Sequence, residues 1–147
     1  MQRSDFRHVY EMPVRWGDMD ALGHVNNVEF LRYLESGRVA YVEKVLRTGL
    51  KTKESVILAD IQCAFLQQLH YPATLQVATR VSRMGTSSLH LSCAIFRKAE
   101  VSPLATSKAV VVWFDFVRQR PTPVPAAVRD RIYAFEAIVP EGSVRAS

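Results

Sequence analysis

The sequence predicts a single α+β domain, and three observations predict it. The chain has 147 residues, 48% of them hydrophobic, which is enough to bury one core and too few for a second. One long segment near the N-terminus carries apolar residues at helical spacing. Four β-rich segments then follow one another with short connections, so helix and strands are segregated along the chain rather than alternating.

The first element is a strand. From Asp5 to Trp16, "DFRHVYEMPVRW" roughly alternates apolar and polar residues, and Pro13 predicts an edge position or an irregularity there. The long helix is expected from Asn27 to about Arg47, "NVEFLRYLESGRVAYVEKVLR". Its stripe runs through Val28, Leu31, Leu34, Val42 and Val45, widened by Phe30, Tyr33 and Tyr41. At ~1.5 Å per residue it measures about 30 Å and can cross a small domain. Asn26 reads as its N-cap, with Glu29 at N3 in a variant of the capping box, and Gly49 after basic residues marks its end. Gly37 inside the helix costs about 1 kcal/mol relative to Ala, which predicts that another backbone passes close by. Glu35 and Arg38, one turn apart, form an ordinary i,i+3 ion pair.

The four β segments are "ESVILADIQCAFLQQL", "ATLQVATRVSRMG", "SSLHLSCAIFRKA" and "PLATSKAVVVWFDFVRQ". Turn chemistry bounds each ("HYP", "GTSS", "VSP"), and the short connections predict antiparallel hairpins. Three prolines at every second position in "RPTPVP" make an extended segment, followed by a short helix from about Ala126 to Phe135. The domain spans residues 1–147, with about 139–147 expected to be a loose tail. No repeat or low-complexity tract interrupts it.

Composition narrows the function. A formal charge of +5 and pI near 9.5 suit an anionic partner. The 19 Lys and Arg are scattered among 14 acids with no dense block, which argues against nucleic acid and for a small polyanion. Cys63 and Cys93 sit inside apolar runs, where cysteine is a small buried hydrophobe. The N-terminal residues lack a signal-peptide h-region and no run is long enough to span a bilayer, so the expectation is a cytoplasmic protein without a membrane partner. His8, His70 and His90 have no metal-ligand spacing with one another or with the cysteines, so no metal is expected.

The chemistry concentrates in "VRWGDMDALGHVNN", Val14 to Asn27, and three readings compete for it. It could be a polar loop in which Asp18 and Asp20 accept loop hydrogen bonds and His24 is exposed. It could be a calcium loop, with Asp18, Asp20, Gly23 and Glu29 at EF-hand positions 1, 3, 6 and 12; Leu22 at position 5 supplies no side-chain oxygen, and a strand rather than a helix enters it. Or it could be a catalytic helix N-terminus. The first helical amides have no intrahelical partner, so Asn27, Val28 and Glu29 could offer N–H groups to a developing oxyanion. Asp20 would then supply the attacking or activating carboxylate, and His24 and Asn27 would orient substrate or water. Asp18 is expected to hold the loop, because two working carboxylates that close would raise one another's pKa.

The stretch "WGDMDALGHVNNVEFLRYLESGR" resembles the signature of the 4-hydroxybenzoyl-CoA thioesterase-like branch of the hotdog-fold acyl-CoA thioesterases, in the subgroup with Gly-His-Val-Asn-Asn. The likeness extends through "AFLQQLHYPATLQVATRVSRMGTSSLHLSCAIF", "ATSKAVVVWFD" and "RPTPVP". It implies a curved antiparallel sheet around the long helix, and a homodimer or homotetramer with active sites at the subunit interface. It implies Asp20 as the catalytic carboxylate, as general base or as nucleophile through a mixed anhydride. The Asn27 amide, with or without that of Val28, polarises the thioester carbonyl, and His24 takes the motif's histidine position. Aromatic-substrate members often carry another residue there, which counts against an aromatic substrate; an acyl chain lying against apolar residues between helix and sheet would favour an aliphatic acyl-CoA of unfixed length. The products would be free acid and coenzyme A, with no metal or redox cofactor.

Thr86, Ser87 and Ser88 in "MGTSS" are candidates to hydrogen-bond a pantetheine arm, and Arg80, Arg83, Arg97, Lys98 and Arg118 are candidates for the phosphates of coenzyme A. Glu35 is an alternative base. A non-catalytic acyl-CoA or acyl-carrier-protein binding module on the same fold would keep the helix amides and the apolar groove, but would have no need of Asp20.

Overall fold

The computed structural model describes residues 1–49 and 51–142. Strand β1 (His8–Pro13) leads through a polar loop into α1 (Asn27–Tyr41), which runs on as a π-helical turn, Val42–Leu46. Strands β2 (Glu54–Phe65), β3 (Thr74–Met84), β4 (Ser88–Arg97) and β5 (Pro103–Asp115) follow, then the two-residue β6 (Arg120–Pro121) and helix α2 (Ala126–Phe135). Among the described residues these six strands all pair antiparallel, in the order β1-β3-β4-β5-β2, with β6 against β5. The sheet curls around α1 as a half-barrel, the α+β architecture expected. None of the helices among the described residues is long and apolar enough to cross a membrane.

Two hairpins form as expected, β3–β4 and β4–β5. The connection from β2 to β3 does not make a third. It carries the chain across the sheet, because β2 pairs with β5 and β1 pairs with β3. Pro13 ends the edge strand β1 opposite Thr74, where its missing N–H costs no central ladder bond. The segment expected to be loose from about residue 139 is anchored at Glu141, whose N–H donates to Ser82 O (2.8 Å) and whose carbonyl accepts from Met84 N–H (2.9 Å). Residues 143–147 of that segment lie outside the described residues.

Helix α1 buries Phe30, Tyr33, Leu34, Gly37, Arg38 and Tyr41, and the π turn buries Val42 and Val45, so the predicted stripe is covered except at its first two positions. Val28 stays 62% exposed and Leu31 39%, because the sheet reaches only one side of the helix. Gly37 packs against the Val77 side chain of β3 rather than a passing backbone: a Cβ there would lie 3.1 Å from Val77 Cβ and closer still to Cγ1. The helix ends at Arg47, as expected, but the residue that reverses the chain is Arg47 itself, in the left-handed conformation at φ 56°, rather than Gly49.

A polar cluster is buried where α1 meets β1 and the end of α2. The Tyr41 hydroxyl donates to Glu136 Oε1 (2.8 Å), and the His8 ring stands edge-on to Tyr41 at 5.4 Å. His8 Nδ1 and Glu136 Oε2 are buried without a partner among the described residues. Burial first, and then Lys44, push His8 down from 6.5 to about 4. The unfolded chain therefore takes up a proton on His8 below about pH 6.5 that the folded chain refuses until about pH 4, so this group withdraws stability as pH falls through that window. Glu136 has the opposite sign, since burial raises its carboxyl and its contribution is lost as pH rises through the folded pKa. Urea denaturation across pH 4 to 6.5 is expected to show wild type losing more stability than His8→Phe, whose ring fills the same place without titrating. Parallel pH profiles would contradict this.

Candidate active site

Between β1 and α1 the chain folds back on itself as a short ribbon. Asn26 N–H donates to Asp18 O (3.1 Å), Met19 bridges Val25, and Asp20 N–H donates to His24 O (2.9 Å). Gly23 closes the turn at φ +86°, a conformation only glycine adopts without strain. The ribbon is tied at both ends to the β2–β3 connection, through Val14 N–H to Ala73 O (2.9 Å) and Val25 N–H to Leu69 O (2.8 Å). The polar residues crowd together because the ribbon sets Asp18 opposite Asn26 and Asp20 opposite His24, directly before the first turn of α1.

The two acids have different surroundings. Asp18 Oδ2 accepts from the Tyr33 hydroxyl (2.6 Å) and from Arg15 N–H (2.9 Å), so it fastens the ribbon to α1. Burial, then the bond to Asp18, raise the Tyr33 hydroxyl well above its ordinary range, and it stays a donor at any physiological pH. Asp20 Oδ1 accepts only from Leu22 N–H (2.9 Å), and Oδ2 has no partner among the described residues. Asp18→Asn and Tyr33→Phe are therefore each expected to cost about 1–2 kcal/mol of stability, measured by chemical denaturation, by breaking a part-buried hydrogen bond to a charged group. Turnover should change only a few-fold; a dead, fully stable Asp18→Asn would reverse the roles of the two acids.

Asn26 caps α1 as the sequence predicts, its Oδ1 accepting from Val28 N–H (2.9 Å). The reciprocal half of the capping box is absent, because Asn26 N–H already donates to Asp18 O. The cap differs from the expectation for Val28, whose amide donates to the Asn26 side chain rather than standing free. Glu29 N–H is also engaged, by Asn26 O (2.9 Å). Of these three amides only that of Asn27 remains without a partner among the described residues, at the positive end of the helix.

His24 is half-buried and its ring faces His70, edge to face, with centroids 6.0 Å apart. His70 Nδ1 lies 3.0 Å from Gly23 O, across 47 positions of sequence. Spacing offered no signal for this residue, which reaches the ribbon only because the β2–β3 connection passes beside it.

The structure does not bring Thr86, Ser87 and Ser88 to this site within one chain. They lie at the turn beyond Met84 and the start of β4, while the ribbon is tied beside Thr74 at the other end of β3, an 11-residue strand on the order of 35 Å long at ~3.3 Å per residue. Backbone carbonyls hold that turn in place: Thr86 O accepts from Val124 N–H and Ser87 O from Trp113 N–H.

Glu35 is exposed, and it makes no contact ion pair with Arg38, whose side chain is buried against the sheet. Burial raises both thiols, Cys93 to about 11, which suits core residues and not nucleophiles. Arg97 and Lys98 pair with Glu100 and Glu11, each at 2.7 Å, and Arg118 lies 3.9 Å from Asp115. Arg80 and Arg83 instead border an open groove with His90 and Lys108 on the sheet. No group of three or more His, Cys, Asp and Glu among the described residues is arranged to hold a metal.

Comparison with known proteins identifies the family and the fold. The profile of the thioesterase-like superfamily matches residues 14–132. The chain is 26% identical over 135 residues to acyl-acyl carrier protein thioesterase ATL3, chloroplastic, of Arabidopsis thaliana, covering 87% of this chain and 68% of that one. Among solved structures it is similar to a thioesterase of Thermus thermophilus complexed with coenzyme A and Zn, at 31% identity and TM-score 0.77 over 91% of this chain and 97% of that chain. It is also similar to the PA2801 protein of Pseudomonas aeruginosa, at 34% identity and TM-score 0.80 over 86% and 98% of the two chains.

Proposed function

The chain belongs to the thioesterase-like superfamily, and from that premise we propose that it hydrolyses an aliphatic acyl-CoA thioester to free acid and coenzyme A. One observation carries the reading: the ribbon holds Asp20, one carboxylate oxygen of which has no partner among the described residues, just ahead of the one unclaimed amide of the helix start, that of Asn27. The thioester carbonyl oxygen accepts from Asn27 N–H, which stabilises the negative charge that builds on it. Asp20 either takes the proton from an attacking water or adds to the carbonyl carbon itself, forming an anhydride that water then opens. In both routes the C–S bond breaks and coenzyme A leaves as thiolate. His24 and the Asn27 side chain orient water or thioester. The steps so written call for no metal or redox cofactor, and the two free cysteines suit a reducing, cytoplasmic setting.

Coenzyme A as the carrier is supported by the Thermus thermophilus relative, which was crystallised with it. The relatives named acyl-acyl carrier protein thioesterases make the acyl-carrier-protein thioester the second substrate to assay. Thiol release across saturated acyl-CoA esters of increasing length, aromatic acyl-CoA esters and acyl-carrier-protein esters tests the reading. Turnover highest on an aliphatic acyl-CoA supports it, and a maximum on an aromatic ester or on the carrier-protein ester overturns the substrate assignment.

The same reading makes the protein a homodimer or homotetramer. Among the described residues strand β2 has a free edge, with Ile57 39% and Leu58 44% exposed, and α1 leaves Val28, Leu31 and Val39 uncovered; an open sheet edge beside apolar surface is a template for a second copy. Sedimentation at micromolar concentration is expected to give at least a dimer, and a purely monomeric profile would contradict it.

A further inference from the structure

We infer that His70 is a positioning residue of the active site, acting through the Gly23–His24 peptide; this rests on the hydrolase reading above. A carbonyl oxygen only accepts, so the 3.0 Å contact between His70 Nδ1 and Gly23 O requires the proton on Nδ1. The hydrogen bond at one ring nitrogen decides which nitrogen is protonated, and Nε2 of neutral His70 is left as an acceptor.

The carbonyl that His70 holds belongs to the same planar peptide as the N–H of His24. Rotating that peptide would change the backbone at His24, swing its ring, and pull His24 O away from Asp20 N–H, which it accepts at 2.9 Å. Such a rotation is open to the turn because Gly23, at φ +86°, has no Cβ to restrict it. His70 blocks it in two ways, by the hydrogen bond and by the ring packed edge to face on His24 at 6.0 Å. The neighbouring bond from Val25 N–H to Leu69 O (2.8 Å) fixes the segment that carries His70. The β2–β3 connection thus grips the ribbon from outside, and His70 is the side chain through which it sets the direction of His24 and the backbone beside Asp20.

The test compares His70→Ala, His70→Asn and His70→Phe with wild type in thiol release from the best acyl-CoA substrate. The Asn side chain places an N–H near the position of Nδ1, and Phe keeps the ring without a donor. His70→Ala is expected to lower kcat about 5- to 10-fold with KM within about 2-fold, His70→Asn to recover at least half of wild-type kcat, and His70→Phe to resemble Ala. Unchanged kcat in His70→Ala overturns the inference, and so does a Phe variant that outperforms Asn. Nitrogen NMR of the wild-type imidazoles reads the geometry independently of turnover. Protonation of His70 at Nδ1, together with a shifted His24 signal in His70→Ala, supports it; protonation at Nε2 overturns it. If wild type cleaves no thioester the hydrolase reading fails, and the NMR result still decides whether His70 orients His24.

Discussion

Asp20→Asn is expected to lower turnover by ~10²- to 10⁴-fold, about 3 to 5 kcal/mol of transition-state stabilisation, while substrate affinity stays within a few-fold. The amide keeps the size of the side chain, and its oxygen can still accept from Leu22 N–H as Asp20 Oδ1 does at 2.9 Å. What it loses is the ability to take a proton or form an anhydride. The loss should fall on kcat, because the proton transfer or the new bond exists only in the transition state. Isothermal titration with a non-hydrolysable acyl-CoA analogue separates the two quantities. If Asp20→Asn kept wild-type kcat, the roles assigned within the ribbon would be wrong, and Glu35 would be the next carboxylate to remove.

The largest effect on folding is expected at Gly37. Gly37→Val drives new carbons into Val77, whose Cβ lies 3.1 Å from the position of the first added atom. Val77 is fully buried and its short branched side chain has no room to withdraw. Overpacking of this kind typically costs about 1–3 kcal/mol, and this site should lie at the upper end, about 3 kcal/mol. The modest helix-propensity gain of valine over glycine offsets only a few tenths. At the usual sensitivity for a chain of this size that is a fall in melting temperature of roughly 6–12 °C. Adding Val77→Ala should restore part of the loss, since it removes the atoms that clash. A single variant as stable as wild type, or a double variant less stable than both singles combined, would show that α1 can shift away from β3.

Local signals explain which elements could be read from the sequence. The cap at Asn26 and both ends of α2 were legible because each rests on residues within one helical turn: a short polar side chain before an apolar run, and a proline at Pro125 immediately before Ala126. The four long strands were legible from their composition and their turns. Their order was not, because a strand's composition does not say which neighbour completes its ladder; β2 pairs with β5, on the far side of β4 from β3. Two positions of the α1 stripe, Val28 and Leu31, were misplaced for a similar reason. Val28 and Leu31 share the helical spacing of Leu34, and only the position of the sheet, or of a second chain, decides which of them is covered.

At the candidate site, the grouping of Asp18, Asp20, His24 and Asn27 was legible because they lie close together along the chain. The different surroundings of the two acids follow from Tyr33 of α1, hydrogen-bonded to Asp18 at 2.6 Å. That the Val28 amide is already engaged follows from which amide the Asn26 side chain captures. Neither choice is written in spacing. His70 was invisible to a reading along the chain, since its contact with Gly23 spans 47 positions and exists only because the β2–β3 connection passes the ribbon.

The most direct measurement is the fate of an acyl-CoA supplied in large molar excess over the protein, followed by mass spectrometry. The account predicts free acid and coenzyme A accumulating to many equivalents per protein chain, at a rate that collapses in Asp20→Asn. Binding of the acyl-CoA without release of acid, or release that stops at one equivalent, would contradict it and leave a binding module on a hydrolase fold.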